Sequence, residues 1–402
     1  MDATILHPQS DADVVEAIRD ALAEGAPLGV EGTGSKSGLG RPVQAARTLS
    51  LAELSGVTLY EPEELVLSAR AGTPIAEIER LLAENRQRLD FEPMDYGPLH
   101  GLGPGLGTLG GVLACNLSGP RRIAKGAARD HVLGIKAVSG RGEAFRSGGR
   151  VVKNVTGYDL AKGMAGSFGT LAVLTEATLK VLPAAETETT LAVRDLDEAS
   201  SVQAMAAAMG SSAEVSGAAH LPAYVAGRIA DGTLGDAPAT LIRLEGFGVS
   251  VEARAAYLSA ALSRVGTLER RDGEASAALW RNVRDVRPFV DGTERPIWRL
   301  SVTPTRAPDI VLAVRMRMAA DAFYDWQGGL VWLRLEAEAE AETVRAIVAA
   351  HGGGHATLVR AAPTVRAATA VFQPQPPALA ALSRRLKEQF DPRGVLNPGR
   401  MG

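Results

Sequence analysis

The chain has 402 residues, 46% of them apolar and only 4% aromatic, with 43 lysines and arginines against 46 aspartates and glutamates. That length points to two domains rather than one, and the balanced charge, with no basic stripe, argues against a nucleic-acid partner. A single cysteine, Cys115, excludes a disulfide framework and a cysteine-ligated iron–sulfur cluster.

The opening MDATILHPQS has neither a basic nor an apolar leader segment. No run of about eighteen apolar residues occurs, so no membrane span is expected. The expectation is a cytoplasmic chain, touching a membrane only through partner subunits. Ile5 to His7 reads as a short strand. Ser10 or Asp11 can cap a helix whose Val14, Val15, Ile18 and Leu22 share one face, and Gly25 ends it. Leu28 to Val30 is a buried strand, followed at once by the loop GTGSKSG (Gly32 to Gly38). Strand patterns recur at Thr48 to Leu51, Val57 to Tyr60 and Leu65 to Ala69. Thr73 as N-cap and Pro74 at the first helical position start a helix carrying Ile75, Ile78, Leu81 and Leu82. Leu89 to Phe91 is a further strand.

From Pro104 to Thr175 glycine and small polar residues recur between short apolar runs, so backbone must approach something closely. Three phosphate-binding patterns compete there. A Walker A loop is absent. GLGTLG (Gly105 to Gly110) matches a dinucleotide fingerprint literally, but the preceding DYGPLHGLGP is not a strand, so the match is accidental. The third pattern is two separated anion loops. GTGSKSG follows a strand and can turn successive N–H groups into one concavity, with the Thr33 and Ser35 hydroxyls beside them. Thr108 to Gly111 supplies a second set at a helix start. Val132 to Ala137 and Glu143 to Arg146 form a hairpin, and Leu171 to Val181 is a long strand closed by Pro183. AAETETT (Ala184 to Thr190) is a boundary.

Beyond it strand and helix signals alternate. Strands are expected at 190–193, 215–220, 224–228, 240–245, 267–270, 297–302, 330–335 and 356–359. Helices are expected at 199–209, 251–263, 274–286, 310–319 and 338–350. This is a ferredoxin-like α+β pattern with helices on one face. Pro374, Pro376 and Pro377 open a last helix to Gln389, and FDPRGVLNPGRM is a set of turns.

The segments VEGTGSKSGLG, AGTPIAEIERLLAE, TLGGVLACNLSGPRR, GAARDHVLGIKAV, VVKNVTGYDLAKGMAGSFGTLAVLTEATLKVLP, DWQGGLVWL and FDPRGVLNPGRM, in that order, span nearly the whole chain. Together they resemble the FAD-binding domain of the vanillyl-alcohol oxidase / para-cresol methylhydroxylase (PCMH) type. More closely, they resemble the FAD-binding subunits of glycolate oxidase. The resemblance implies an α+β chain. Its PCMH-type FAD-binding domain would cover 1–183, in subdomains of about 1–95 and 96–183. A ferredoxin-like cap would follow at 184–373, and a tail at 374–402 would return to the FAD domain.

It further implies FAD as cofactor. Gly32, Thr33, Gly34, Ser35 and Lys36 would wrap its diphosphate, with Thr108, Leu109, Gly110 and Gly111 closing from the other side. Asn116, Ser118 and Gly119 would lie along the flavin, and Arg129 and Asp130 would order the adjoining loop. Val173 would meet adenine, and Asn397 would return near the isoalloxazine. Covalent relatives carry a histidine in the first loop; TGSKS has none, so FAD is expected to be non-covalent. The implied activity is oxidation of glycolate, a small 2-hydroxy acid, to glyoxylate. The implied partners are a larger flavin-binding subunit and an iron–sulfur subunit. The alternatives are a catalytically silent structural or electron-relay subunit, and a stand-alone 2-hydroxy acid dehydrogenase.

A 2-hydroxy acid needs an arginine for its carboxylate. Arg299 and Arg284 are the candidates, although Arg281, Arg284 and Arg287 also read as a solvated helix face. Cys115 reads as a packed thiol and HGGGH (His351 to His355) as a turn, with no metal site expected. Trp298, Trp326 and Trp332 read as core, and the acidic run from Glu336 as a solvated turn.

Overall fold

The computed structural model describes residues 4–151, 157–229, 232 and 234–402. Residues 152–156, within the segment VVKNVTGYDLAKG singled out above, lie outside the described residues.

The chain opens with β1 (Thr4–Leu6), α1 (Asp11–Glu24), β2 (Leu28–Glu31) and β3 (Arg47–Ser50). Ser10 caps α1 reciprocally. Its hydroxyl accepts from Asp13 N–H, and the Asp13 carboxylate accepts from Ser10 N–H, satisfying two donors that the first turn leaves open. β1 and β2 flank β3 in a parallel three-stranded sheet.

β4 (Val57–Glu61), β5 (Val66–Arg70), α2 (Ile75–Glu84) and β6 (Gln87–Arg88) follow. Pro74 rather than Thr73 occupies the cap of α2. The Thr73 hydroxyl instead donates to Arg70 O at 2.7 Å and accepts from Gly56 N at 2.9 Å. The strand expected at Leu89 to Phe91 does not form. Arg86 and Glu92 adopt positive φ on either side of it, which breaks the extension and leaves only β6. Leu89 and Phe91 still enter the core.

Next come α3 (Leu109–Cys115), α4 (Arg122–Lys125), β7 (Val132–Ser139), β8 (Ala144–Gly148), α5 (Leu160–Met164), β9 (Ala172–Lys180) and β10 (Leu182–Pro183), which pairs with β6. The expected hairpin is β7–β8, and β9 is the long strand. Together they build an antiparallel sheet in the order β4-β5-β9-β7-β8.

The second half forms one eight-stranded antiparallel sheet. Its first unit is β11 (Thr187–Arg194), α6 (Glu198–Met209), β12 (Gly217–Leu221), α7 (Ala223–Ala226), β13 (Ala239–Gly246), α8 (Gly248–Leu262) and β14 (Leu268–Asp272). After α9 (Gly273–Arg284) comes β15 (Ile297–Val302), α10 (Ala307–Arg315), β16 (Ala320–Asp325), β17 (Leu330–Leu335), α11 (Ala341–Ala350) and β18 (Gly354–Arg360). The strand order is β14-β11-β13-β12-β16-β17-β15-β18. Each half therefore has the ferredoxin-like order of fourth, first, third and second strand. The two halves are joined through their second strands, β12 and β16, by the pair His220 and Tyr324.

Two expectations fail here. Tyr224 to Arg228 is not a strand: the amides of Val225 and Ala226 turn back to Pro222 O, starting α7. The helix expected at 310–319 ends at Arg315, and β16 follows. In β16, Ala322 and Tyr324 face one core and Phe323 the other, the two-residue period of a strand buried on both faces. One face packs on α6, α8, α10 and α11. The other carries Phe323, Trp332 and Ile297 into a core shared with α9 and the first half of the chain. Trp298 and Trp332 are both fully buried, on opposite faces. Within the acidic run Glu340 is the N-cap of α11 and Glu342 lies in its first turn, so that helix starts three residues later than expected.

α12 (Pro363–Ala368) and α13 (Pro377–Phe390) lead to the tail. Leu396 bridges Leu28 in parallel, with Leu28 N donating to Val395 O at 2.8 Å and Asn397 N to Leu28 O at 3.0 Å. The buried Asn397 side chain accepts from Val30 N at 2.8 Å. It donates to Val30 O at 3.2 Å and to Phe168 O at 2.9 Å. Asn397→Ala should cost about 2–3 kcal/mol by leaving these backbone groups unpaired. Hydrogen exchange at the Val30 amide checks this; unchanged protection would mean that the Leu28–Leu396 ladder alone holds the tail. Among the described residues no helix is long and apolar enough to cross a membrane.

Candidate functional site

The loop after β2 and the start of α3 face each other across a cleft. The residues brought together include Gly32, Thr33, Gly34, Ser35, Lys36, Thr108, Gly110, Gly111 and Val173. The loops interlock. A Cβ on Gly32 would lie 2.5 Å from Thr108 Oγ1, and one on Gly110 would lie 2.8 Å from Ala71 Cβ. The Thr33 hydroxyl donates to Leu106 O across the gap.

The two loops offer different groups. Among the described residues, the N–H groups of Thr33, Gly34, Ser35 and Lys36 donate to no acceptor in the chain. Such a run of free amides is able to form an anion nest. The Leu109 and Gly110 amides are instead committed to Thr73 O at 2.9 Å and Ala71 O at 2.8 Å, and Gly111 N points to its own cap, Thr108 Oγ1, at 3.3 Å. The second loop thus contributes shape and close approach more than free donors, and Leu109 turns into the core.

Lys36 is buried, and its ammonium has one short contact, Ser35 Oγ at 3.3 Å. Burial pulls its pKa below the usual lysine value, opposed by Cys115 and Asp95. A buried cation with a single weak partner at the edge of an open cleft calls for an anion there. Glu31, also lining the cleft, is pushed up by burial against the pull of Arg400.

Sequence reasoning missed several lining residues: Glu31, Ala71, Cys115, Ser167 to Gly169, and Arg400. Arg400 donates to Lys36 O at 2.8 Å, while Arg41 N donates to Arg400 O at 2.9 Å. The arginine of the PGR tail was the available signal. Phe168, at φ 53, donates its amide to Ala114 O. Cys115 is half-buried and free, with its thiol pushed up by burial.

Other expected site residues lie beside the cleft and hold its wall. Asn116, left-handed at φ 49, accepts from Arg129 N at 3.0 Å. Ser118 Oγ accepts from Ala128 N at 2.9 Å, and Asp130 from Ala127 N at 2.9 Å. The Arg129 side chain is exposed, 3.7 Å from Asp130. Gly119 O accepts from the indole of Trp326 at 3.0 Å, tying this wall to the large sheet.

The two candidate substrate arginines differ sharply. Arg284 lies beside Gly119 but is bidentate to Asp285 at 2.8 and 2.9 Å, so its charge is committed and it is not part of a solvated face. Arg287 falls outside α9. Arg299 rises from β15, its guanidinium 4.9 Å from the centre of the Trp326 ring. Burial lowers its pKa, with Tyr96 and Asp325 opposing. The His351 ring donates from Nδ1 to Ile347 O at 2.8 Å, and the described residues contain no cluster suited to a metal.

Residues 3–148 match the FAD binding domain family. The chain is 35% identical to the glycolate oxidase subunit GlcE of Escherichia coli over 391 residues, 96% of each chain. It is 27% identical to the glycolate oxidase subunit GlcD of Bacillus subtilis over 192 residues, 48% of this chain and 39% of that one. Among solved structures, p-cresol methylhydroxylase with substrate bound aligns with a TM-score of 0.74 at 15% identity, covering 99% of this chain and 88% of the other. The last is a likeness of fold.

Proposed function

This chain belongs to the family of the glycolate oxidase subunit GlcE, and from that premise we propose that it is the FAD-holding subunit of a complex that oxidises glycolate to glyoxylate. It is a flavin-dependent oxidoreductase acting on CH–OH groups, with FAD as its cofactor. The observation that carries the reading is the cleft: four free amides, from Thr33 to Lys36, beside a nearly unpaired buried ammonium. These residues fit a diphosphate, which would give the buried Lys36 ammonium a counter-charge.

Gly32, Thr33, Gly34, Ser35 and Lys36 hold the diphosphate in this reading. Thr108, Gly110 and Gly111 close over it, and Val173 lines the adenine end. Asn116, Ser118, Gly119, Arg129 and Asp130 shape the wall beside the ring system, and Leu109 and Asn397 act through packing and the tail clasp. No histidine sits in the first loop, which supports non-covalent retention. When bound, FAD supplies a two-electron acceptor for a CH–OH group. Arg299 is the substrate-side cation, since Arg284 is neutralised by Asp285. Residues 1–183 form the FAD-binding domain, 184–373 the cap and 374–402 the returning tail. Electrons leave through a larger flavin-binding subunit and an iron–sulfur subunit, and any membrane contact is made through those partners.

The chain purified alone should carry flavin that bleaches on anaerobic addition of glycolate. Flavin that stays oxidised would support the silent or relay role, and a chain that never takes up flavin would overturn the reading. Lys36→Met should weaken FAD binding about tenfold to a hundredfold, the worth of one charge-assisted hydrogen bond. Equilibrium dialysis against FAD measures it, and an unchanged Kd would remove Lys36 from the diphosphate.

A further inference from the structure

The turn between β16 and β17 is strained. Trp326, Gln327 and Gly328 have φ of 51°, 63° and 94° in succession. Positive φ is rare for a bulky aromatic residue and costs about 1–3 kcal/mol where it persists. Two hydrogen bonds hold Trp326 in place: its amide donates to Asp325 Oδ1 at 2.7 Å, and its indole donates to Gly119 O at 3.0 Å. The ring is thus fixed between the large sheet and the wall of the flavin cleft.

Two guanidinium groups lie over that ring. Arg122, from α4 in the first half, is 4.6 Å from the ring centre, and Arg299, from β15 in the second, is 4.9 Å away. Among the described residues neither side chain makes a hydrogen bond or pairs with a carboxylate within 4.0 Å. The other strongly buried arginines nearby are paired: Arg121 and Arg243 with Glu92, Arg284 with Asp285, and Arg360 with Asp291. An aromatic ring contacts the face of a guanidinium, whereas its N–H donors point outward in the plane. Stacking on Trp326 therefore leaves the donor edges of both arginines unused.

We propose that Arg122 and Arg299, pre-oriented by Trp326, form a clamp for the carboxylate of a small 2-hydroxy acid at the seam between the two halves of the chain. Planar donor edges match a carboxylate in bidentate fashion. A bound carboxylate would also relieve the repulsion between the two cations. Burial and the Arg299 charge both lower the Arg122 pKa, with Asp130 opposing, while Asp325, whose charge opposes the effect of burial on Arg299, is itself pushed up to about 7 by burial and is only partly ionised at neutral pH. The Trp326 indole donates to Gly119 O at 3.0 Å, just past the end of α3, whose Ala114 and Cys115 line the flavin cleft, so the clamp is tied to the segment that walls the cofactor site. This inference rests on the flavin oxidoreductase reading and names how that site would hold its substrate.

The test is calorimetric titration of the full chain with oxalate, a two-carbon carboxylate with no C–H bond to oxidise, with flavin content read by absorbance in the same sample. The wild type is expected to bind oxalate but not chloride. Arg122→Lys should weaken oxalate binding at least tenfold and Arg299→Met further, with flavin content unchanged in both. Flavin-loaded wild type that ignores oxalate, or that binds it equally well in Arg122→Lys, overturns the clamp. If Arg299→Met fails to fold, Arg122→Lys, at a half-exposed position, still decides it. A purely structural role for the two arginines predicts lower melting temperatures with oxalate affinity unmoved, which also overturns the clamp. A wild type without flavin that still binds oxalate would overturn the function reading but keep the clamp.

Discussion

Gly110→Asp is expected to give a folded chain that no longer retains FAD. Gly110 is the point at which α3 meets the turn after β5. Its amide donates to Ala71 O at 2.8 Å, and an added Cβ would lie 2.8 Å from Ala71 Cβ and 3.1 Å from Ala71 O. The substitution forces the two walls of the cleft apart and brings a carboxylate toward a space shaped for an anion, where like charge is repelled. A loss of at least a hundredfold in affinity, about 3 kcal/mol, should appear as a colourless preparation. Gly110→Ala keeps the clash without the charge and should lose less. Gly34→Asp should act similarly on the other wall: Gly34 has φ +77 with the Glu31 carboxylate 3.5 Å from a Cβ, so the variant adds both backbone strain and a second acid. Full flavin occupancy in both aspartate variants would remove the two-loop clamp.

Arg243→Met should destabilise the chain by about 3–5 kcal/mol, the usual consequence of orphaning a buried ion. Arg243 is fully buried on β13, bidentate to Glu92 at 2.8 and 2.9 Å and stacked 4.4 Å from the centre of the Trp280 ring. Glu92 also accepts from Arg121 N at 2.6 Å, and Arg121 forks onto Glu245 at 2.7 and 2.8 Å. Arg88 reaches Glu245 at 2.6 Å. This network crosses from the first half of the chain to the large sheet.

Burial alone would raise both carboxyls, but Arg121 and Arg243 outweigh it at Glu92, as Arg243 and Arg121 do at Glu245, and both sit below the ordinary glutamate value. Their stabilisation is therefore present above the unfolded pKa of about 4.3 and is lost as pH falls through the lower folded value. Melting of Glu92→Gln, Arg243→Met and the double variant closes a cycle. The double variant should recover part of the loss, because no charge is then left unpaired. Strict additivity of the two single losses would show that the pair does not interact.

The cleft was largely legible because its chemistry is local. A glycine loop directly after a strand, and a threonine-capped turn about seventy residues later, both announce backbone that must approach a ligand. What each loop contributes was not legible. Free amides from Thr33 to Lys36 and spent amides at Leu109 and Gly110 depend on whether Ala71 and Thr73 supply acceptors, which is a tertiary fact. Asn116 and Ser118 look like ligand residues in sequence, yet their side chains order the loop at 127–130. Arg400 joined the cleft only because the tail adds beside β2.

The cap shows the same division. Its strand–helix alternation was readable, and so was the ferredoxin-like type. β16 was missed because ADAFYD is buried on both faces, and no hydrophobic alternation survives when both sides are core. Arg299 and Arg284 were indistinguishable as letters. Asp285 neutralises one, while the other meets Arg122 over Trp326. By itself the sequence determined the α+β class and the two glycine-containing loops, since periodicity and glycine placement are properties of neighbouring residues, while the cofactor followed from the resemblance carried by the ordered motifs. Only the tertiary structure decided which amides remain free, which arginines keep their charge and where the two halves meet, because hydrogen-bond partners and desolvation come from residues far apart in the chain.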